Sequence, residues 1–214
     1  GGTALIYNDP NRKDAFVHQY NFTAQYEFAK NWLAEAAYVG SLSRNLLIVS
    51  NIGNARGQGG PGSRRVTGFD NVTATEYTAS AKYDSLQTKI EKRFSEGLSI
   101  LSAYTWSKAI DDNPGGFCAG GTGPNTCGPD DPLRPELDRG ISDLNVPHRF
   151  TFASVYDLPI GRDRKFLREI PAVADVLLGG WQLNNIVTLQ SGSPYTVNWR
   201  GGRVDIIGDP TPSS

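Results

Sequence analysis

From Tyr83 to Phe94 the chain changes chemical character at every residue. Leu86, Ile90 and Phe94 fall on one face of an extended strand, while Gln87, Lys89, Glu91 and Arg93 fall on the other. A short connection, Ser95-Glu-Gly97, returns the chain into Leu98–Trp106, so the pair reads as an antiparallel hairpin. The apolar face of that hairpin ends in Tyr104 and Trp106, and the opposite face carries full charges. This is the pattern of a wall with hydrocarbon on one side and water on the other, and no helix can satisfy a period of two.

The same alternation recurs along the chain. Residues 15–28 set Phe16, Tyr20, Phe22, Tyr26 and Phe28 against Gln19, Asn21, Thr23, Gln25 and Glu27. After a turn at Ala29-Lys-Asn31, Trp32, Ala34, Ala36 and Tyr38 share a side and Glu35 takes the other. Phe150, Phe152 and Tyr156 oppose Arg149, Thr151 and Asp157, and Trp181, Leu183, Val187 and Leu189 oppose Gln182, Asn184, Thr188 and Gln190. The expected fold is all-β: about six antiparallel up-and-down strands forming part of a transmembrane β-barrel, as hairpins 15–40, 83–108 and 147–191. Long loops at 41–82 and 109–146 would lie on one side, and short connections on the other. The connection 158–180 holds Pro171, an apolar run and Gly179-Gly180, which predicts one short helix. Short turns on the periplasmic side and long loops outside would orient the chain.

Composition agrees and excludes several classes. The chain has 214 residues and a formal net charge of −1, which supplies no electrostatic reason to expect nucleic acid. Its 24 Gly and 13 Pro, with charged residues at only 20%, favour strands and turns over helices. No apolar stretch approaches the roughly 20 residues that a membrane-spanning helix needs, a test to which barrels are blind because each strand needs only alternate apolar residues over about 9–11 positions. The start Gly-Gly-Thr, the absence of Met and the lack of a leader pattern read as a fragment or a processed product.

Several spaced segments resemble one family. Tyr83–Phe94 with Gly97–Lys108, Asp138-Arg-Gly-Ile-Ser-Asp-Leu-Asn-Val-Pro-His-Arg-Phe150, Tyr156-Asp-Leu-Pro-Ile-Gly161, Leu178-Gly-Gly-Trp-Gln-Leu183 and Leu189-Gln-Ser-Gly-Ser-Pro-Tyr-Thr196 are similar, in that order, to barrel strands of TonB-dependent receptors of the Oar-like type. The resemblance covers roughly residues 15–200. It implies an outer-membrane transporter with a large barrel of about 22 strands. Its partners would be outer-membrane lipid, a plug domain, TonB and a large solute of unknown identity, the plug and TonB-contacting segment lying outside this stretch.

Candidate residues follow from the faces. Gln87, Lys89, Glu91, Arg93, Arg149, Gln182 and Asn184 would line a lumen, against a plug or along a substrate path; alternatively they simply face water and neighbouring strands. Trp32, Tyr38, Tyr104, Trp106, Phe150, Tyr156 and Trp181 would form aromatic girdles at the two membrane interfaces, whereas in a soluble sandwich they would be core. Cys118 and Cys127 lie close enough in one loop to bridge in an oxidising compartment. Asp111-Asp112 and Asp130-Asp131 offer oxygen ligands to Ca²⁺ but read better as solvated loop charge. Gly57-Gln-Gly-Gly-Pro-Gly62 formally matches a nucleotide loop, yet contains Pro and opens no helix. Asn21 and Asn71 match glycosylation acceptors, discounted because Asn21 falls mid-strand. His18, on the apolar face, and His148 lie far apart without a nucleophile, so no catalytic residue, metal or cofactor is expected and the chain reads as non-enzymatic. Two rival readings are a passive porin or surface adhesin, and a soluble carbohydrate-binding β-sandwich.

Overall fold

The computed structural model describes residues 3–51, 69–112, 135–162, 164–167, 169 and 171–194. Cys118, Cys127, the Asp130-Asp131 pair and the Gly57–Gly62 run lie outside them.

Eight strands form one open sheet: β1 (Thr3–Asn8), β2 (Phe16–Ala29), β3 (Trp32–Asn51), β4 (Phe69–Ser95), β5 (Leu98–Asp111), β6 (Gly140–Ile141), β7 (His148–Asp157) and β8 (Gln182–Gln190). The main path is β2-β3-β4-β5-β7-β8, every neighbouring pair antiparallel. This up-and-down order follows from the turns, since each long strand pairs with the next in sequence. One helix, α1 (Ala172–Leu178), lies between β7 and β8 where Pro171 and Gly179-Gly180 predict it. Pro171 occupies the N-cap position, where its carbonyl accepts from the Ala174 and Asp175 N–H groups without a side-chain cap, and the Gly179 N–H donates to Asp175 O at 2.8 Å.

The tight turns explain the registers. Asn31 adopts φ 67°, a left-handed conformation open to Asn, and the β2–β3 register slips once beside it, between Glu27 and Ala29. The β4–β5 loop is two residues rather than three: Ser95 pairs with Leu98, and Glu96 and Gly97 take φ 52° and 78°, the pair of positive values that a type I′ hairpin requires. Lys92 seals this turn by donating from Nζ to Ser95 O, Ser95 Oγ and Leu98 O, all within 3.0 Å.

The ladder runs further than the alternation. Strands β3 and β4 have 20 and 27 residues, so that residues 41–51 and 69–82, expected within a loop, are strand. At ~3.3 Å per residue β4 is about 90 Å long, far beyond what crossing a bilayer takes. Sequence periodicity misses this extension because its apolar residues are not sorted onto one face, the buried Ile48, Val72, Ala74 and Ala79 lying among Ser, Thr and Asn. Ser-Leu-Ser-Arg-Asn-Leu-Leu also breaks the period at a bulge, with Asn45 at φ 54°. Strand β1 adds to this extension by pairing in parallel with Phe69–Thr75, and Asp112 ends the β5 ladder just below it. Both carboxylate oxygens of Asp112 accept from Ser80, Oδ1 from the N–H and Oδ2 from the hydroxyl, at 2.6 Å each. Asp112 therefore closes backbone structure, and Asp111 is a paired strand residue.

There is no second layer among the described residues, and only Ala37, Ile48, Val72, Ala74 and Ala79 are buried apolar residues. Among the described residues no second sheet covers the aromatic face, as a soluble sandwich requires.

Between β6 and β7 the edge of β5 is satisfied without a strand. The Ala109 N–H donates to Asn145 Oδ1 at 2.7 Å, the Ser107 N–H to Pro147 O at 2.9 Å, and the Ser107 hydroxyl to Val146 O at 2.8 Å. Asn145 is 4% exposed and its side chain stands in for a backbone acceptor. Asn145→Leu, close in volume but unable to accept, is expected to lower stability by about 1–3 kcal/mol, read by equilibrium denaturant unfolding of the full-length protein. No change would mean that water replaces the side chain.

Candidate functional site

Cross-strand registers sort the side chains into two faces. On the polar face, Gln25, Glu35 and Lys89 stand in one row across β2, β3 and β4. Gln25 Nε2 donates to Glu35 Oε2 at 2.6 Å, and Lys89 Nζ pairs with the same oxygen at 2.9 Å and reaches Glu91 at 3.9 Å. Beside them Gln87 Nε2 donates to Ser85 Oγ, which itself donates to Val39 O, each at 3.3 Å. Two open hollows mark the wall, one beside Glu35 and Lys89 and one between Gln19, Gly40 and Tyr83.

The sequence candidates Gln87, Lys89 and Glu91 alternate on the polar face of β4, and Arg149 joins the Gln87 row through Thr105. Arg93 stands just past the last regular pair, its N–H donating to Asn31 O at 2.8 Å. Gln182 and Asn184 occupy the same face of β8, where Gln182 donates to Asp157 Oδ1 at 2.8 Å. Three inter-strand steps of ~4.8 Å separate β4 from β8, so these residues form a polar lane and not one pocket. Gln25 and Glu35 were visible as polar alternation but not as members of the site; the slip beside the β2–β3 turn brings Gln25 opposite Glu35, and the β3–β4 register brings Lys89 to the same carboxylate.

The polar face is not uniformly polar. Leu33, Leu101, Ala153 and Ile186 share the Glu91 row across β3, β5, β7 and β8, and Ile186 is 81% exposed.

On the other face stand all the aromatic candidates. Tyr38, Leu86, Trp106 and His148 form one row, and Tyr104 and Phe150 pair in the next. Tyr104 Oη is hydrogen-bonded to His148 Nδ1 at 2.8 Å, with the rings stacked. Trp32, Tyr156 and Trp181 each lie at the strand end toward the short connections, Trp32 three strands away from Tyr156. Charged groups bound the apolar stretch on β4. Toward the short turn lies Lys92. Toward the long loop Asp84 accepts from Tyr38 at 2.8 Å and from Tyr20 at 3.0 Å, and pairs with Lys82 at 2.8 Å. Gly40 is needed there because the Tyr20 ring occupies the space a Cβ would fill. Between Asp84 and Lys92 the outward residues are Leu86, Thr88 and Ile90, a stretch of roughly 26 Å along the strand.

A family model described as an outer membrane beta barrel domain matches residues 1–211. The chain belongs to this outer membrane beta barrel family. No curated protein and no solved structure matches it. Membership locates the barrel domain in the outer membrane and suggests a transport or porin-like role, and the antiparallel up-and-down sheet is the architecture such a domain requires. No group of three or more His, Cys, Asp or Glu able to hold a metal occurs among the described residues.

If the Gln25–Glu35–Lys89 row acts as one unit, Glu35→Gln and Lys89→Met will each lower the urea midpoint of the barrel slightly. The double variant will lose less than their sum, because the second change removes a group that has already lost its ion-pair partner across β3 and β4. Strict additivity would mean that the pair is uncoupled in solution.

Proposed function

We propose that this chain forms part of the barrel wall of a TonB-dependent outer-membrane receptor for energy-coupled uptake of a large solute. The carrying observation is that apolar side chains, Leu33, Leu101, Ala153 and Ile186, flank Glu91 on the face that carries the charges. In this reading Gln87, Lys89, Glu91, Arg93, Arg149, Gln182 and Asn184 face a lumen, and Leu33, Leu101 and Ile186 interrupt that lining near the short turns. A plug domain seated in the lumen would cover these side chains, which a water-filled pore would leave against water. The spaced resemblance to Oar-like receptors points the same way. The extension of β3 and β4 then stands outside the membrane and carries the loops that meet the solute.

The aromatic residues Trp32, Tyr38, Tyr104, Trp106, Phe150, Tyr156 and Trp181 meet lipid. Tyr38 and Trp106 lie near one boundary of the apolar band and Trp32, Tyr156 and Trp181 near the other, where amphipathic rings are favoured. Lys92 and the Lys82–Asp84 pair then lie at headgroup depth, Lys92 extending its stem through the apolar edge to reach the turn.

Neighbouring residues test the two faces against each other. Thr88→Arg, at the middle of the apolar band, is expected to destabilise the full-length protein in phospholipid vesicles by about 2–4 kcal/mol, and Gln87→Arg by less than about 1 kcal/mol. Equal costs in urea titrations would remove the assignment of faces. Plug and porin separate electrically. In planar bilayers the full-length receptor should pass no steady ion current and should capture the TonB C-terminal domain on a resin. A steady open-channel current without TonB capture would establish the passive porin instead.

A further inference from the structure

We propose that the β7–β8 connection is a membrane-surface anchor, in which α1 and the loop before it lie among anionic phospholipid headgroups. This rests on the reading that the apolar face of the wall meets lipid, and adds a second mode of attachment at its rim.

Position comes first. Trp181 continues the outward series of Leu183, Val187 and Leu189, and its indole Nε1 donates to Leu177 O at 2.9 Å. The last turn of α1 is thereby tied to a side chain of the apolar face, at the end of the strand, and is continuous with the lipid-facing surface. The indole also satisfies one of the carbonyls that a helix C-terminus leaves without a partner.

Composition of the exposed surface comes second. Val173, Val176, Leu177 and Leu178 are 81%, 83%, 71% and 48% exposed. The one carboxylate of the helix is turned away from them: Asp175 Oδ1 accepts the backbone N–H of Arg162 at 2.7 Å and packs against Gly161 and Gly179, where a Cβ would collide with it. What α1 offers its surroundings is therefore almost wholly apolar. In water that surface would be a liability; at an interface it inserts.

Charge comes third. The loop preceding the helix closes on itself through Gly161 N–H to Phe166 O at 3.1 Å and Phe166 N–H to Pro159 O at 2.9 Å. It presents exposed Phe166 and Leu167 beside exposed Arg162 and Lys165, with the Lys165 ammonium 5.8 Å from the Phe166 ring centre. Glu169 is the exposed carboxylate of this connection among the described residues. Cations flanking apolar side chains match phosphate-bearing headgroups above acyl chains.

The test places single nitroxide labels on the full-length protein, in a Cys118→Ser, Cys127→Ser background and in nanodiscs of phosphatidylethanolamine and phosphatidylglycerol. Labels replace Val173, Val176 or, as an internal reference, Ile90. All three are expected to collide with O₂ in preference to a water-soluble nickel chelate, with a ratio several-fold above that of free label in buffer and greatest at Ile90. Nickel access at 173 and 176 with O₂ preference retained at Ile90 overturns the anchor alone. Low access to both reagents at 173 and 176 also overturns it, in favour of a protein covering the helix. Nickel access at Ile90 instead removes the reading of the faces. Arg162→Glu with Lys165→Glu leaves the Arg162 backbone bond to Asp175 in place and should shift the 176 label toward nickel at least twofold in anionic discs, and not in phosphatidylcholine discs. An equal response in both lipids overturns the headgroup part of the proposal.

Discussion

Everything in this wall depends on the backbone ladder. In hydrocarbon an unpaired N–H or C=O has no water to turn to, so each strand must find its partners in the strands beside it. That requirement explains why the long strands follow one another in strict antiparallel order. It also explains why side chains serve as ladder members where a strand stops, as Asn145 does against Ala109 and Asp112 against Ser80. The outer strands β2 and β8 each have one free edge in this sheet, and an outer-membrane barrel closes only when such edges are paired.

Given the ladder, side chains are free to specialise by face. Among the described residues a conventional core is nearly absent: five small or aliphatic apolar residues are buried, four of them in the extension or at its foot, from Ile48 to Ala79. Stability of the membrane part then comes from matching each face to its surroundings. The apolar band on β4 ends at Lys92 and Asp84, both of which hold partners at the boundary instead of entering the band. Gly40 belongs to the same boundary, surrendering its side-chain volume to the Tyr20 ring so that both tyrosines can reach Asp84.

Much of this was legible in the sequence. Alternation alone placed the long strands of the band, separated Gln87, Lys89 and Glu91 from Leu86 and Ile90, and put the aromatic set on one face; Pro171 and Gly179 announced α1. What stayed hidden has specific causes. The extensions of β3 and β4 carry no regular apolar period, because Ser, Thr and Asn alternate with the few buried side chains and a bulge at Asn45 interrupts the order. The pairing of β1 joins residues more than sixty positions apart in parallel, which no local pattern reports. The convergence of Gln25 and Lys89 on Glu35 depends on two registers, one of them shifted by the one-residue slip beside Asn31.

The sequence by itself determined the class of the molecule and the solvent preference of each face, because a period of two is written directly in residue order. Only the tertiary structure decided register, strand length and the placement of α1 beside Trp181. Those depend on which backbone groups meet across strands, and on turn conformations such as the left-handed Asn31, Glu96 and Gly97, that residue type permits but does not compel.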